Sequence, residues 1–205
     1  MTGRADATRV LALHECAQVL PGFSIAGRLQ HDPKGTHQVV ITRHLADGVP
    51  YSYDASNELR IVPRRDTAPY EVHRGDVLFM SRGTQNRAWV VAEVPDPTIA
   101  PVSFYILRPG ESLDGGYLAW YLNQAPAQGA IGQLRTGAGT PLVQRDAFQL
   151  LNVVLPPLDV QREIAALGVL LARERDLRQR LADATGRAHV ALGANIIETL
   201  RDHHA

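Results

Sequence analysis

The side chains best suited to reading a macromolecule by hydrogen bonds gather in one stretch, Ser81-Arg82-Gly83-Thr84-Gln85-Asn86-Arg87. Arginine carries a planar fork that can hold guanine or a phosphate through two hydrogen bonds. Asn and Gln match the adenine edge, and Ser and Thr serve phosphate readily. Further arginines stand at Arg43, Arg64, Arg65 and Arg135, the last beside Thr136-Gly137, where backbone amides could meet a phosphate. Each has a plainer reading: a hairpin loop made polar by solvent, or ordinary surface charge. Both readings stay open at this point. Trp89 and Trp120 fit core or interface anchors better than base-stacking platforms.

Covalent chemistry has no comparable group. The only lysine, Lys34, precedes Gly35, so no Gly-Lys-Ser/Thr phosphate loop exists, and no acid after it has a downstream lysine for a nuclease signature. Leu155 precedes Pro156-Pro157 where an amino-methyltransferase needs Asn or Asp. A Gly-x-Ser-x-Gly elbow and a strand-linked GxGxxG are both absent. His14 and Cys16 would share one face of a strand, but two such residues meet by chance far more often than they form a nucleophile and its base. His203-His204 reads as solvent-exposed tail. The expectation is a chain without catalytic residues, metal or cofactor.

The 205 residues fit one domain plus an appended element, and 45% apolar with 20% charged residues is a globular balance. Lys+Arg and Asp+Glu are both 21, so net charge neither advertises nor forbids nucleic acid; clustering must decide. Arginine supplies all the bases but one, as a GC-rich genome would make it. A single cysteine excludes an internal disulfide and a Cys-rich zinc site. No apolar run is long enough for a membrane span, and MTGRADATRV lacks the apolar segment of a secretory leader. A soluble, cytoplasmic protein is expected, with no membrane partner.

Stepping along the chain, residues 8–20 mix strand alternation with a short helical pattern before Pro21-Gly22. Strands are expected at 37–42, 58–62, 102–107 and 150–155, with loop and a possible helical turn over 43–57. The segment 75–94 is the clearest β-hairpin: Val77 to Met80, a polar loop, then Ala88 to Val94. A short helix is expected over 114–124, a second over 126–134, and a flexible loop over 135–141. Residues 1–157 thus read as a strand-rich α+β domain.

At Pro156-Pro157 the character changes. From Asp159, a fitting N-cap, the pattern is helical to about Leu200, some 60 Å at ~1.5 Å per residue. Leu167, Leu170, Leu177, Leu181, Ala184, Ala188 and Ala191 keep the 3-and-4 spacing of a coiled-coil seam. Glu174 and Asn195 interrupt it, and Thr185-Gly186 is a place where the helix could break. Residues 158–205 are therefore read as a long helix for pairing with another helix, with packing back on its own domain as the other possibility.

With these elements placed, the chain resembles the DNA-specificity subunit of type I restriction-modification systems. GDVLFMSRGT at 75–84, YLAWYLNQ at 117–124 and GTPLVQRDAFQLLNVVLPPLDVQREIA at 139–165 carry the resemblance. The last is the most specific, with Leu155-Pro156-Pro157-Leu158, Gln161 and Ile164-Ala165 in the family's spacing. The resemblance implies a target-recognition domain followed by a long helix. It implies a non-catalytic reader of double-stranded DNA that positions adenine-methylating subunits, with a restriction-translocase subunit as a further partner. Family members typically hold two recognition domains and two helices; this chain has one of each. It resembles a half-subunit acting as a homodimer. A different reading keeps the fold but makes the chain a protein-interaction adaptor without DNA binding, in a phage-defence complex; zero net charge favours it.

Overall fold

A computed structural model describes residues 8–137 and 139–202. The opening seven residues and His203-His204 lie outside them. In chain order the elements are β1 (Arg9–Ala12), α1 (Leu13–Cys16), β2 (Ala17–Pro21), β3 (His37–Val39), β4 (Tyr51–Ser52), β5 (Arg60–Ile61), β6 (Val77–Met80), β7 (Ala88–Glu93), β8 (Thr98–Ile99) and β9 (Phe104–Pro109). There follow α2 (Gly115–Leu122), α3 (Ala125–Gln133), β10 (Arg135–Thr136), β11 (Leu142–Val143), α4 (Arg145–Phe148), β12 (Asn152–Leu155) and α5 (Leu158–Asp202). The chain divides into two compact units, one ending at Val169 and the other beginning at Leu170.

A five-stranded sheet in the order β2-β9-β6-β7-β4 organises the first unit. Its central strands read as unbroken apolar runs because both faces are covered. Val77 and Phe79 of β6, with Tyr105 and Leu107 of β9, point into a core closed by Leu118 and Leu122 of α2, Ile131 of α3 and Phe148. Phe79 and Phe148 stack at 4.2 Å between centroids. Leu78, Phe104 and Ile106 point the other way, into a core with Tyr51, Trp89 and Val91. A smaller three-stranded sheet, β5-β3-β8, covers Phe23, Val39, Leu59 and Ile99. The mixed, strand-rich architecture with a long final helix is the α+β arrangement expected.

Several local expectations change. The strand expected over 37–42 stops at Val39 and gives way to a 3₁₀ turn, Thr42–His44. The strand over 58–62 shrinks to Arg60–Ile61. The loop expected over 135–141 starts later, because Arg135 pairs with Val143 and Thr136 with Leu142. Residues 8–20 do hold both periods, as β1, the α1 turn and β2.

The junction to α5 explains the Pro-Pro-Leu and Gln161 motif. Gln161 is buried; its Nε2 donates to the carbonyls of Ser112 (3.1 Å) and Pro156 (2.7 Å), and its Oε1 accepts from the Asp114 amide at 2.9 Å. One side chain therefore ties the start of α5 to the start of α2. Helix α5 begins at Leu158, so Asp159 lies inside the first turn instead of capping it, where its charge still suits the helix dipole. The helix runs unbroken through Thr185-Gly186, 45 residues or about 68 Å. In the second unit every described residue from Arg173 to Arg201 is exposed.

Candidate nucleic-acid interface

The hairpin loop between β6 and β7 is stitched to the segment leading into β11. Ser81, fully buried, donates its hydroxyl to the Ser103 carbonyl at 2.9 Å, and its own carbonyl accepts the Val143 amide at 2.9 Å. Arg82 forms an antiparallel bridge to Leu142, and the Gly83 amide donates to the Pro141 carbonyl at 2.8 Å. Gly83 holds a φ of +91°, a conformation that suits glycine. Arg82, Thr84 and Gln85 remain exposed on this fixed frame. A loop ordered before binding loses less entropy when it binds.

Asn86 behaves otherwise. It is fully buried, its Nδ2 donating to the Met80 carbonyl at 2.8 Å and its Oδ1 accepting from Arg135 Nε at 2.7 Å. Its polar groups are committed inside the fold, which corrects its placement among exposed base-reading side chains. Arg135, half-buried, is drawn by that bond to the hairpin loop although 48 residues separate it from Arg87 in sequence.

A further arginine joins them. Burial raises the Tyr105 hydroxyl above its usual range, while the nearby charges of Arg145 and Arg82 pull it back and Asp146 raises it, so both guanidiniums lie within electrostatic reach of one hydroxyl. Tyr105 donates to the Val143 carbonyl at 2.7 Å. Arg145 opens α4 on the exposed surface next to Gln144, whose amide donates to Thr136 Oγ1 at 3.0 Å. Among the described residues no carboxylate lies within 4 Å of Arg82, Arg135 or Arg145. Arg145 was not singled out in sequence; its only signal was its place inside the 139–165 motif.

The remaining arginines are placed differently. Arg87 pairs with Asp47 at 3.6 Å, both ends exposed. Arg43 is exposed on the 3₁₀ turn that precedes that aspartate. Arg64 and Arg65 follow β5, beside the smaller sheet, and Arg65 lies over the rings of Phe23 (4.6 Å) and Tyr70 (5.3 Å). Trp89 is buried and donates its indole N–H to the Ala46 carbonyl, an anchor of the core.

A separate cleft of about 480 Å³ is lined by His73, Arg74, Arg108, Glu111 and Arg162 among others. Arg108 grips the buried Asp76 carboxylate with two bonds, 2.9 and 2.8 Å, and that hydrogen bonding raises the guanidinium further. With one arginine neutralised and a free acid present, the cleft is of mixed sign.

Other candidates offer no chemistry. His14 and Cys16 sit in the α1 turn and not in a strand, so two residues apart they point in different directions. Burial pushes the Cys16 thiol up to about 11, with Glu15 adding to it. Among the described residues no group of three or more His, Cys, Asp or Glu could hold a metal ion, and no helix is long and apolar enough to cross a membrane. On α5, Leu167, Leu170, Leu177, Leu181, Ala184, Ala188 and Ala191 are all exposed, as are Ile196, Ile197 and Leu200 farther along.

Three solved structures share this fold. The HsdS subunit from Thermoanaerobacter tengcongensis aligns with a TM-score of 0.57 at 18% identity, over 85% of this chain and 39% of that one. A chain from a structure of type I restriction-modification complex assembly and conformational transition gives 0.63 at 16%, over 90% and 43%. The type I restriction-modification S subunit from M. genitalium gives 0.55 at 12%, over 87% and 43%. No family model matches the sequence, and no curated protein does. The fold is that of type I specificity subunits, and the chain spans less than half the length of each of these proteins.

Proposed function

We propose that this chain is a DNA-sequence-reading half-subunit of a type I-like restriction-modification system. Residues 1–157 would read double-stranded DNA, and residues 158–205 would pair with a second copy and dock a DNA adenine methyltransferase subunit. The reader performs no chemistry itself and works in the cytoplasm; a restriction-translocase subunit joins where cleavage accompanies methylation. The observation that carries this reading is the trio Arg82, Arg135 and Arg145, all without carboxylate partners, set on the β6–β7 loop, β10 and the start of α4, which hydrogen bonds stitch into a fixed frame. Buried counter-acids would have silenced them. Thr84 and Gln85 share the loop of Arg82, and Arg43, Arg64, Arg65 and Arg87, elsewhere on the domain, would supply phosphate contacts.

Methylated adenines mapped in host DNA with and without the gene test the whole assignment, after co-purification identifies the methyltransferase. Binding measured across a salt series tests the reader alone: affinity should fall steeply, because local arginines release phosphate counterions even when distant acids cancel the net charge. The balance of 21 bases against 21 acids favours the adaptor reading instead. Absence of DNA binding with the methyltransferase subunit present would count against the reader and leave the adaptor reading.

A further inference from the structure

Asn86 is a residue type suited to base edges, yet it is fully buried. Around it the exit of the hairpin loop is clamped from three directions. Gln128 donates to the Asn86 carbonyl at 2.7 Å. Asn123 brackets Ala88, accepting its amide at 3.1 Å and donating to its carbonyl at 2.8 Å. The Asn86 side chain spans the loop to Met80 and reaches out to Arg135 Nε. A guanidinium has five N–H donors in a rigid fork. Here one is used, and both terminal nitrogens of Arg135 have no hydrogen-bond partner among the described residues. Fixing Nε fixes the plane of the fork, which an exposed arginine would otherwise leave free to rotate.

We propose that Asn86 is a positioning residue that aims the terminal nitrogens of Arg135 at two acceptors on one base, O6 and N7 of guanine; this rests on the DNA-reading function above. Guanine is favoured over phosphate because a phosphate's tetrahedral oxygens offer the fork several bidentate approaches, so that contact depends less on a plane held beforehand. A base edge presents its two acceptors in one plane only. Holding the fork before contact lowers the entropy lost on binding.

The test uses the full chain with its co-purified methyltransferase subunit and a pool of random-sequence duplexes, from which the wild-type protein enriches its preferred site. Binding is then measured to that duplex and to its single-base-pair variants. Arg135→Lys keeps the charge but loses the fork. It should lose about tenfold or more of the preference for one G·C pair, with preferences elsewhere and the salt slope unchanged. Asn86→Ala should weaken the same position, and adding it to Arg135→Lys should cost nothing more there. If Asn86→Ala does not fold, Arg135→Lys decides alone. Full preference retained by Arg135→Lys overturns the proposal in favour of a phosphate contact. A loss spread evenly over all positions overturns it in favour of a purely structural role. A wild-type protein that enriches no sequence defeats the DNA-reading function itself, and this inference with it.

Discussion

At the scale of single residues, arginines that look alike in sequence differ in what already holds them. Arg82 has no carboxylate within 4 Å, whereas Arg87 carries an exposed pair to Asp47 at 3.6 Å. Arg82→Ala should therefore lower sequence discrimination by about 1–3 kcal/mol if its fork meets a base. Arg87→Ala should lower affinity evenly across sequences, as loss of a phosphate contact does. Neither exposed substitution should change stability by more than about 0.5 kcal/mol. Competition binding against single-site variants, paired with urea melts, separates the two; equal loss of discrimination from both would remove the distinction. Residue type indicated the hairpin loop as the candidate site, but not which of its side chains are available. Asn86 is the counterexample: its burial comes from Arg135 and Gln128, which lie far along the chain, and no local pattern encodes that. Arg145 was missed for the same reason, since the long-range Arg82–Leu142 bridge and the Ser81–Val143 hydrogen bond bring its segment beside Arg82.

At the scale of elements, long periodic segments were legible and most two-residue strands were not. The 77–93 hairpin, α2 and α5 carry enough apolar repeats to declare themselves. β4, β8, β10 and β11 have two residues each, too few for any period, and exist because neighbouring strands supply their hydrogen bonds. The order of the five-stranded sheet, with β9 between β2 and β6, depends on long-range pairing that alternation does not specify. Glycines in α5 make the contrast testable. By helix propensity alone, each glycine of α5 costs about 1 kcal/mol relative to alanine. A Cβ on Gly168, however, would clash with Trp120 Cδ1, while one on Gly186 or Gly193 meets nothing within 4 Å. Gly168→Ala should then destabilise by about 1–3 kcal/mol through overpacking, despite its better propensity. Gly186→Ala and Gly193→Ala should instead stabilise the helix by up to about 1 kcal/mol. Thermal melts followed by circular dichroism would show the opposite signs; a stabilised Gly168→Ala would mean that Trp120 yields more easily than its packing implies.

At the scale of the whole molecule, the exposed seam of the second unit needs a partner. Leu177 and Leu181 are 56% and 68% exposed, and a stripe of leucine in water is unfavourable unless covered. Bulky residues occupy the first half of the seam and alanines the second, so a parallel copy would set leucine on leucine and alanine on alanine. An antiparallel copy sets large against small. In one register Leu170 then faces Ala191 of the second copy while Leu177 faces its Ala184, because both pairs are symmetric about a point between Arg180 and Leu181. The homodimer proposed above should adopt this register. Light scattering should report twice the chain mass, and Leu177→Glu with Leu181→Glu should return the monomer. A Leu177→Cys, Ala184→Cys variant should crosslink between copies on oxidation. Two-fold symmetry in the protein would then be copied into its DNA, so the enriched site should be an inverted repeat with unread base pairs between its halves. A chain that stays monomeric at high micromolar concentration would hand the partner helix to another protein. A dimer that reads an asymmetric site would mean that the two copies do not engage DNA alike.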